Sequence, residues 1–109
     1  MDENLQNRID LFFEHCKSVY AAHCDANDFK IRESFSIQYA EKWAKIVKGT
    51  GVYGFVALVD FSNKQLGQVK TGDIHKAASW TTPAKHARGS VFTDGFNNCA
   101  GPYGIAYLR

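Results

Sequence analysis

Seven apolar residues near the start of the chain, Leu5, Ile9, Phe12, Phe13, Cys16, Val19 and Tyr20, recur mostly at steps of three and four. That spacing lines side chains along one face of an α-helix and leaves a stripe that only another element can cover. It predicts a helix over about Asn4 to His23. Asp2 or Asn4 can cap its start, and Glu3 complements the positive end of its dipole. The turn formers Asp25-Ala26-Asn27-Asp28 end it.

The partner of this stripe reads as a sheet. Phe35, Ile37 and Tyr39 alternate with Ser34, Ser36 and Gln38, the period of a half-buried strand. Residues 39–48 are ambiguous, because Tyr39, Trp43, Ala44 and Val47 would also share a helical face. Extended neighbours and a tight turn at Glu41-Lys42 favour a strand from about Trp43 to Val47. Val52 to Asp60 is β-rich, Ser62-Asn63-Lys64 is a turn, and Leu66 and Val69 mark a second extended run, which together predict a meander. Thr71-Gly72-Asp73 turns the chain again, and Ile74 to Ser79 continues along the edge of the sheet. Thr82, Pro83 and Gly89 have the order of cap, first position and stop of a short helical turn. Gly95, Gly101 and Gly104, with Asn97, Asn98 and Pro102, predict an irregular segment, with Ile105 to Leu108 returning as a strand. The fold class expected is α+β in one domain spanning 1–109: an N-terminal amphipathic helix packed on a small antiparallel sheet, followed by an irregular Gly-rich C-terminal segment.

Composition excludes several classes. At 45% hydrophobic and 22% charged the chain is globular, neither disordered nor collagen-like. Its longest apolar run, Val52 to Val59, falls far short of the roughly 20 residues of a membrane helix. Met1-Asp2-Glu3-Asn4 lacks the apolar stretch of a secretory signal, so the expected location is the cytoplasm, with Cys16, Cys24 and Cys99 as reduced thiols. Charge is divided unevenly. Residues 1–41 hold eight of the eleven acids against four bases, and residues 42–109 hold nine bases against three acids. The parts carry net −4 and +6, which implies either a basic surface for a polyanion or internal pairing of the two.

Gly49-Thr50-Gly51-Val52-Tyr53-Gly54 fits a phosphate-cradling G-x-G-x-x-G, but that motif requires a helix where this chain turns β-rich, so a turn between strands is the better account. His15-Cys16 and His23-Cys24 resemble zinc ligands. On a helix Cys16 and His23 stand about 10 Å apart, too far for one ion, and no stoichiometric metal or other cofactor is expected. No nucleophile elbow, no H-E-x-x-H and no tight carboxylate pair in the positive part supports catalysis, and Cys99 with His75 or His86 is a pairing that any chain with three cysteines and four histidines offers, so an enzyme is not expected.

Residues 70–88 carry the most distinctive chemistry. Lys70, His75, Lys76, Lys85, His86 and Arg88 stand against the single acid Asp73, with Trp80 among small residues in their midst. Cations attract phosphate and an exposed indole offers a base a surface to stack on. The nucleic-acid-binding residues expected are therefore Lys70, Lys76, Trp80, Lys85, His86 and Arg88, with Tyr53, Phe55, Phe61 and Trp43 extending the platform. The competing account makes Trp80 a core residue and the lysines ordinary solvated charges.

The strings Val52-Tyr53-Gly54-Phe55-Val56, Gly72-Asp73-Ile74-His75-Lys76-Ala77-Ala78-Ser79-Trp80, Pro83-Ala84-Lys85-His86-Ala87-Arg88-Gly89 and Gly101-Pro102-Tyr103-Gly104-Ile105-Ala106-Tyr107-Leu108-Arg109 resemble a group of short tailed-bacteriophage proteins. The resemblance covers the chain from Val52 onward and not the acidic helix. It implies a phage origin, and its functional relative is the Drc group, single-stranded-DNA-binding RNA polymerase cofactors of N4-related phages, to which no residue is matched. The partners it implies are single-stranded nucleic acid and RNA polymerase or another host or phage protein, with self-association left open. The rival function is a small phage protein that binds and inhibits a host protein, with Trp80 and Arg88 as its anchors.

Overall fold

A computed structural model describes residues 1–106. The helix α1 runs Glu3–Ala26, and Asp2 caps it, its side chain accepting from the Leu5 N–H at 2.9 Å. The stripe points inward as its spacing requires: Leu5, Ile9, Phe12 and Cys16 are buried, with Cys24 about two turns beyond. Among the described residues seven strands follow, β1 Phe35–Tyr39, β2 Trp43–Lys48, β3 Gly51–Ala57, β4 Phe61–Asn63, β5 Gly67–Val69, β6 Asp73–Ala77 and β7 Pro83–Ser90. Five of them form an antiparallel sheet in the order β1-β2-β3-β6-β7. Residues 39–48 are thus a strand end, a tight turn and a second strand.

Gly49 starts the two-residue turn between β2 and β3 with φ +60°, the positive dihedral a tight hairpin demands, so the glycine motif is a strand connection. A bulge follows, where Ile46 pairs with Gly54 but Val47 pairs with Val52. The extra residue, Tyr53, turns to the helix side, and Gly54 allows Ile105 and the His75 backbone to approach where a Cβ would lie 2.4 Å from Ile105 Cγ1. Beyond the bulge the faces separate cleanly. Ala44, Ile46, Val56 and Ile74 pack with Leu5, Ile9, Phe12 and Cys16 in the main core, while Ala57, Leu66 and Val69 form a second small core with Trp43 and Phe61 against the opposite, outer face.

Three expectations are corrected. The meander breaks after β3: β4 and β5 close on each other as a separate two-stranded sheet, and β6 returns to pair with β3. β6 is consequently interior and ends at Ala77, so 74–79 is not the edge. Residues 82–89 are not a helical turn, because Pro83 opens the edge strand β7, where its missing N–H is tolerated, and pairing with β6 satisfies a backbone that a lone turn would leave to water. After β7 the chain makes a 3-10 segment, Asp94–Asn98, in which Phe96, Asn97 and Asn98 all have positive φ. Phe96 is buried there against Phe12, ring centroids 5.1 Å apart. Of the strand expected over Ile105 to Leu108, Ile105 makes only an isolated bridge to Ala100, Ala106 is not in a strand although its N–H donates to Cys99 O at 2.9 Å, and residues 107–108 lie outside the described residues.

Candidate nucleic-acid interface

Strand alternation decides which side chains share the outer face. Trp43, Lys45, Phe55 and His75 project there, and Trp43 is the hub, with ring centroids 5.9 Å from Phe55, 5.6 Å from Phe61 and 5.1 Å from His75, all near edge-to-face. Lys42 lies 4.9 Å from the Phe61 centroid.

Trp80 sits in the loop joining β6 to β7. Ser79 ties that loop off: its Oγ accepts from the Thr82 N–H at 3.1 Å, and the Ala78 N–H donates to Thr82 O at 2.8 Å. The tryptophan is 48% exposed, so it is not a core residue. Lys45 anchors it twice, donating from Nζ to the Trp80 carbonyl at 3.1 Å and standing 4.3 Å from the indole centroid. Held this way, the ring pays less ordering entropy when a flat ligand stacks on it. Between this loop and strand β1 runs a groove of about 290 Å³ lined by Gln38, Tyr39, Trp43, Lys45, Phe55 and Thr81.

The six expected residues do not form one patch. Lys85 and His86 are exposed on β7, the strand that follows the Trp80 loop. Arg88 is half-buried, folded back so that Nη1 donates to His86 O, while its Nε is buried without a partner. Lys70 lies before β6, at the end opposite Trp80. There its N–H donates to Asp73 Oδ2 at 3.0 Å, and its charge helps Thr71 hold the Asp60 carboxyl below the usual carboxylate range. Lys76 alternates with His75, so it takes the helix side, where Nζ donates to Ile105 O at 3.0 Å. Tyr53 also leaves the proposed platform: the bulge sends it into the main core, and its hydroxyl donates to Gly101 O at 2.6 Å. Lys45, which holds the indole, was not among the expected residues. Its signal was present in Trp43-x-Lys45, two residues that share a face once the segment is a strand.

His75 is the polar group buried under this face. It is 2% exposed, and Nδ1 lies 2.7 Å from Ala84 O. A carbonyl only accepts, so Nδ1 carries the proton and Nε2, which has no partner, is the bare nitrogen of a neutral ring. Burial lowers its pKa from the ordinary value, with the Ala84 bond opposing.

The chain's cysteines are all buried and unbridged. Burial pushes the Cys16 thiol up to about 12 and that of Cys99 to about 11, far from a reactive thiolate. Among the described residues no three of His, Cys, Asp and Glu gather as a metal would require, and no helix is long and apolar enough to cross a membrane. Internal pairing absorbs little of the charge division: among the described residues, Lys48 with Glu33 at 3.7 Å is the ion pair that joins a base of residues 42–109 to an acid of residues 1–41.

No curated protein and no solved structure matches the sequence. A family model does match, over residues 3–100, which spans α1 and the strands β1 to β7, and the chain therefore belongs to DUF7717, a family of unknown function.

Proposed function

We propose that this protein binds single-stranded nucleic acid, DNA foremost, on the outer face of its sheet. The observation that carries the reading is the half-exposed indole of Trp80 held by Lys45, with the apolar groove over Trp43 and Phe55 on one side and the exposed Lys85 and His86 on the strand that follows. A base stacks on the indole without hydrogen-bond readout, and the lysines take the phosphates on either side. The acidic helix covers the opposite face, so repulsion of a polyanion is least at the outer one. A transcription-cofactor role and a phage origin accord with the resemblance of residues 52–109, and the protein would then work in the host cell cytoplasm.

The test is a titration of a labelled single-stranded oligonucleotide and of its duplex at two salt concentrations. Single strands are expected to bind tighter, because duplex bases are already stacked on each other, and affinity should fall steeply with salt. Binding that is absent for both would overturn the reading and pass the same face to a protein partner, whose aromatic contacts depend little on salt.

A further inference from the structure

The five-stranded sheet has two edges, and they are built differently. β7 carries the usual protections of an exposed edge: a proline at its start, two register irregularities against β6, and the charges of Lys85 and Arg88. β1 has none of these. From Ser34 to Ala40 the sequence is Ser-Phe-Ser-Ile-Gln-Tyr-Ala, without charge, proline or glycine, and its pairing with β2 is regular throughout.

The phase of that ladder shows which groups are free. Gly49 N–H donates to Ser34 O at 2.8 Å and Ala40 N–H to Trp43 O at 2.9 Å, so even-numbered residues of this segment turn their backbone to β2. Phe35, Ile37 and Tyr39 turn theirs outward, and among the described residues no segment receives their N–H and C=O groups. The free row is centred on Ile37.

We propose that β1 pairs antiparallel with β1 of a second copy of this chain, about a two-fold axis at Ile37. A symmetric pair needs a surface complementary to itself. In this register Ile37 faces Ile37, Phe35 faces Tyr39 of the second copy, and Ser36 faces Gln38, so each contact joins like polarity and no two like charges meet. Three facing residues give about six backbone hydrogen bonds, two for each pair of residues that exchange them. The strand is short, so the contact is small beside the roughly 1,200–2,000 Å² of a stable interface and the dimer is weak. The axis stands perpendicular to the sheet, which puts both helices on one side and both Trp43, Lys45 and Trp80 faces on the other. A single strand could then run across two copies. That consequence rests on the proposed function, whereas the pairing does not.

Ser36 and Gln38 are exposed and lie opposite each other across the axis, which permits a test of the register itself. Sedimentation equilibrium without nucleic acid would compare the natural chain with S36K/Q38K and S36K/Q38E. The natural chain should rise from 12.2 kDa toward twice that mass as concentration approaches ~1 mM, as a weak dimer does. S36K/Q38K sets lysine against lysine and should stay monomeric, and S36K/Q38E sets lysine against glutamate and should recover the dimer. Should S36K/Q38K fail to fold by circular dichroism, S36D/Q38D sets aspartate against aspartate in its place. A natural chain that remains monomeric overturns the pairing, as does a like-charged variant that dimerises equally well or a Lys-Glu variant that stays monomeric. None of these results depends on nucleic-acid binding.

Discussion

The buried imidazole of His75 ties stability to pH in a direction that can be worked out. Its folded-state pKa is lowered from 6.5, so the unfolded chain binds the proton more readily. The stability this provides is fully present above about 6.5 and is lost as pH falls below it through the lower folded-state value. Thermal melts at stepwise lower pH should therefore decline, and His75→Phe, which keeps a ring beside Trp43, should flatten that decline below about pH 6.5. An unchanged pH profile in the variant would show that another group titrates. The thiols supply a second expectation: a thiol reagent should react slowly with the native protein and fully with Cys16, Cys24 and Cys99 only after denaturation, because all three are buried from the reagent and burial also disfavours the thiolate of Cys16 and Cys99. Lys70 is the internal control for the proposed binding surface. It stands at the end of β6 remote from Trp80, beside Asp60 and Asp73, so Lys70→Ala should leave oligonucleotide affinity and its salt slope nearly unchanged.

Among elements, the bulge in β3 has the widest consequences. It sends Tyr53 to the core and brings Gly54 under Ile105, so Gly54→Ala forces a methyl to within 2.4 Å of Ile105 Cγ1 and should cost about 1–3 kcal/mol, read as a lowered midpoint of denaturation. Phe12→Ala in α1, which removes the ring against Phe96, should cost about 3–5 kcal/mol. Elements whose periodicity spans several residues were legible from the sequence: the stripe of α1 and the alternation of β1 reached the structure almost unchanged. Elements fixed by distant pairing were not. The strand at Pro83–Ser90 reads locally as a capped turn and exists because β6 lies beside it, and the separation of β4 and β5 from the main sheet leaves no local mark. The site follows the same division. Trp80 and the cations around it were visible as a cluster in the chain, but the sides taken by Lys76 and Tyr53 depend on strand phase and on one bulge. Lys45 became part of the site only when residues 43–48 resolved into a strand.

At the scale of the whole molecule, the acidic helix and the aromatic outer face occupy opposite sides of one sheet. The proposed role of this outer face is to stack bases at Trp80 while lysines nearby hold phosphate. The measurement that bears on it most directly is the salt dependence of single-stranded oligonucleotide affinity in the natural chain, Trp80→Ala and Lys85→Ala, each checked by thermal melting. Trp80→Ala should weaken binding by about 1–3 kcal/mol with the salt slope retained. Lys85→Ala should flatten the slope by about 0.7, one single-strand phosphate contact. Folded variants that both bind as tightly as the natural chain, with the same slope, would contradict the account.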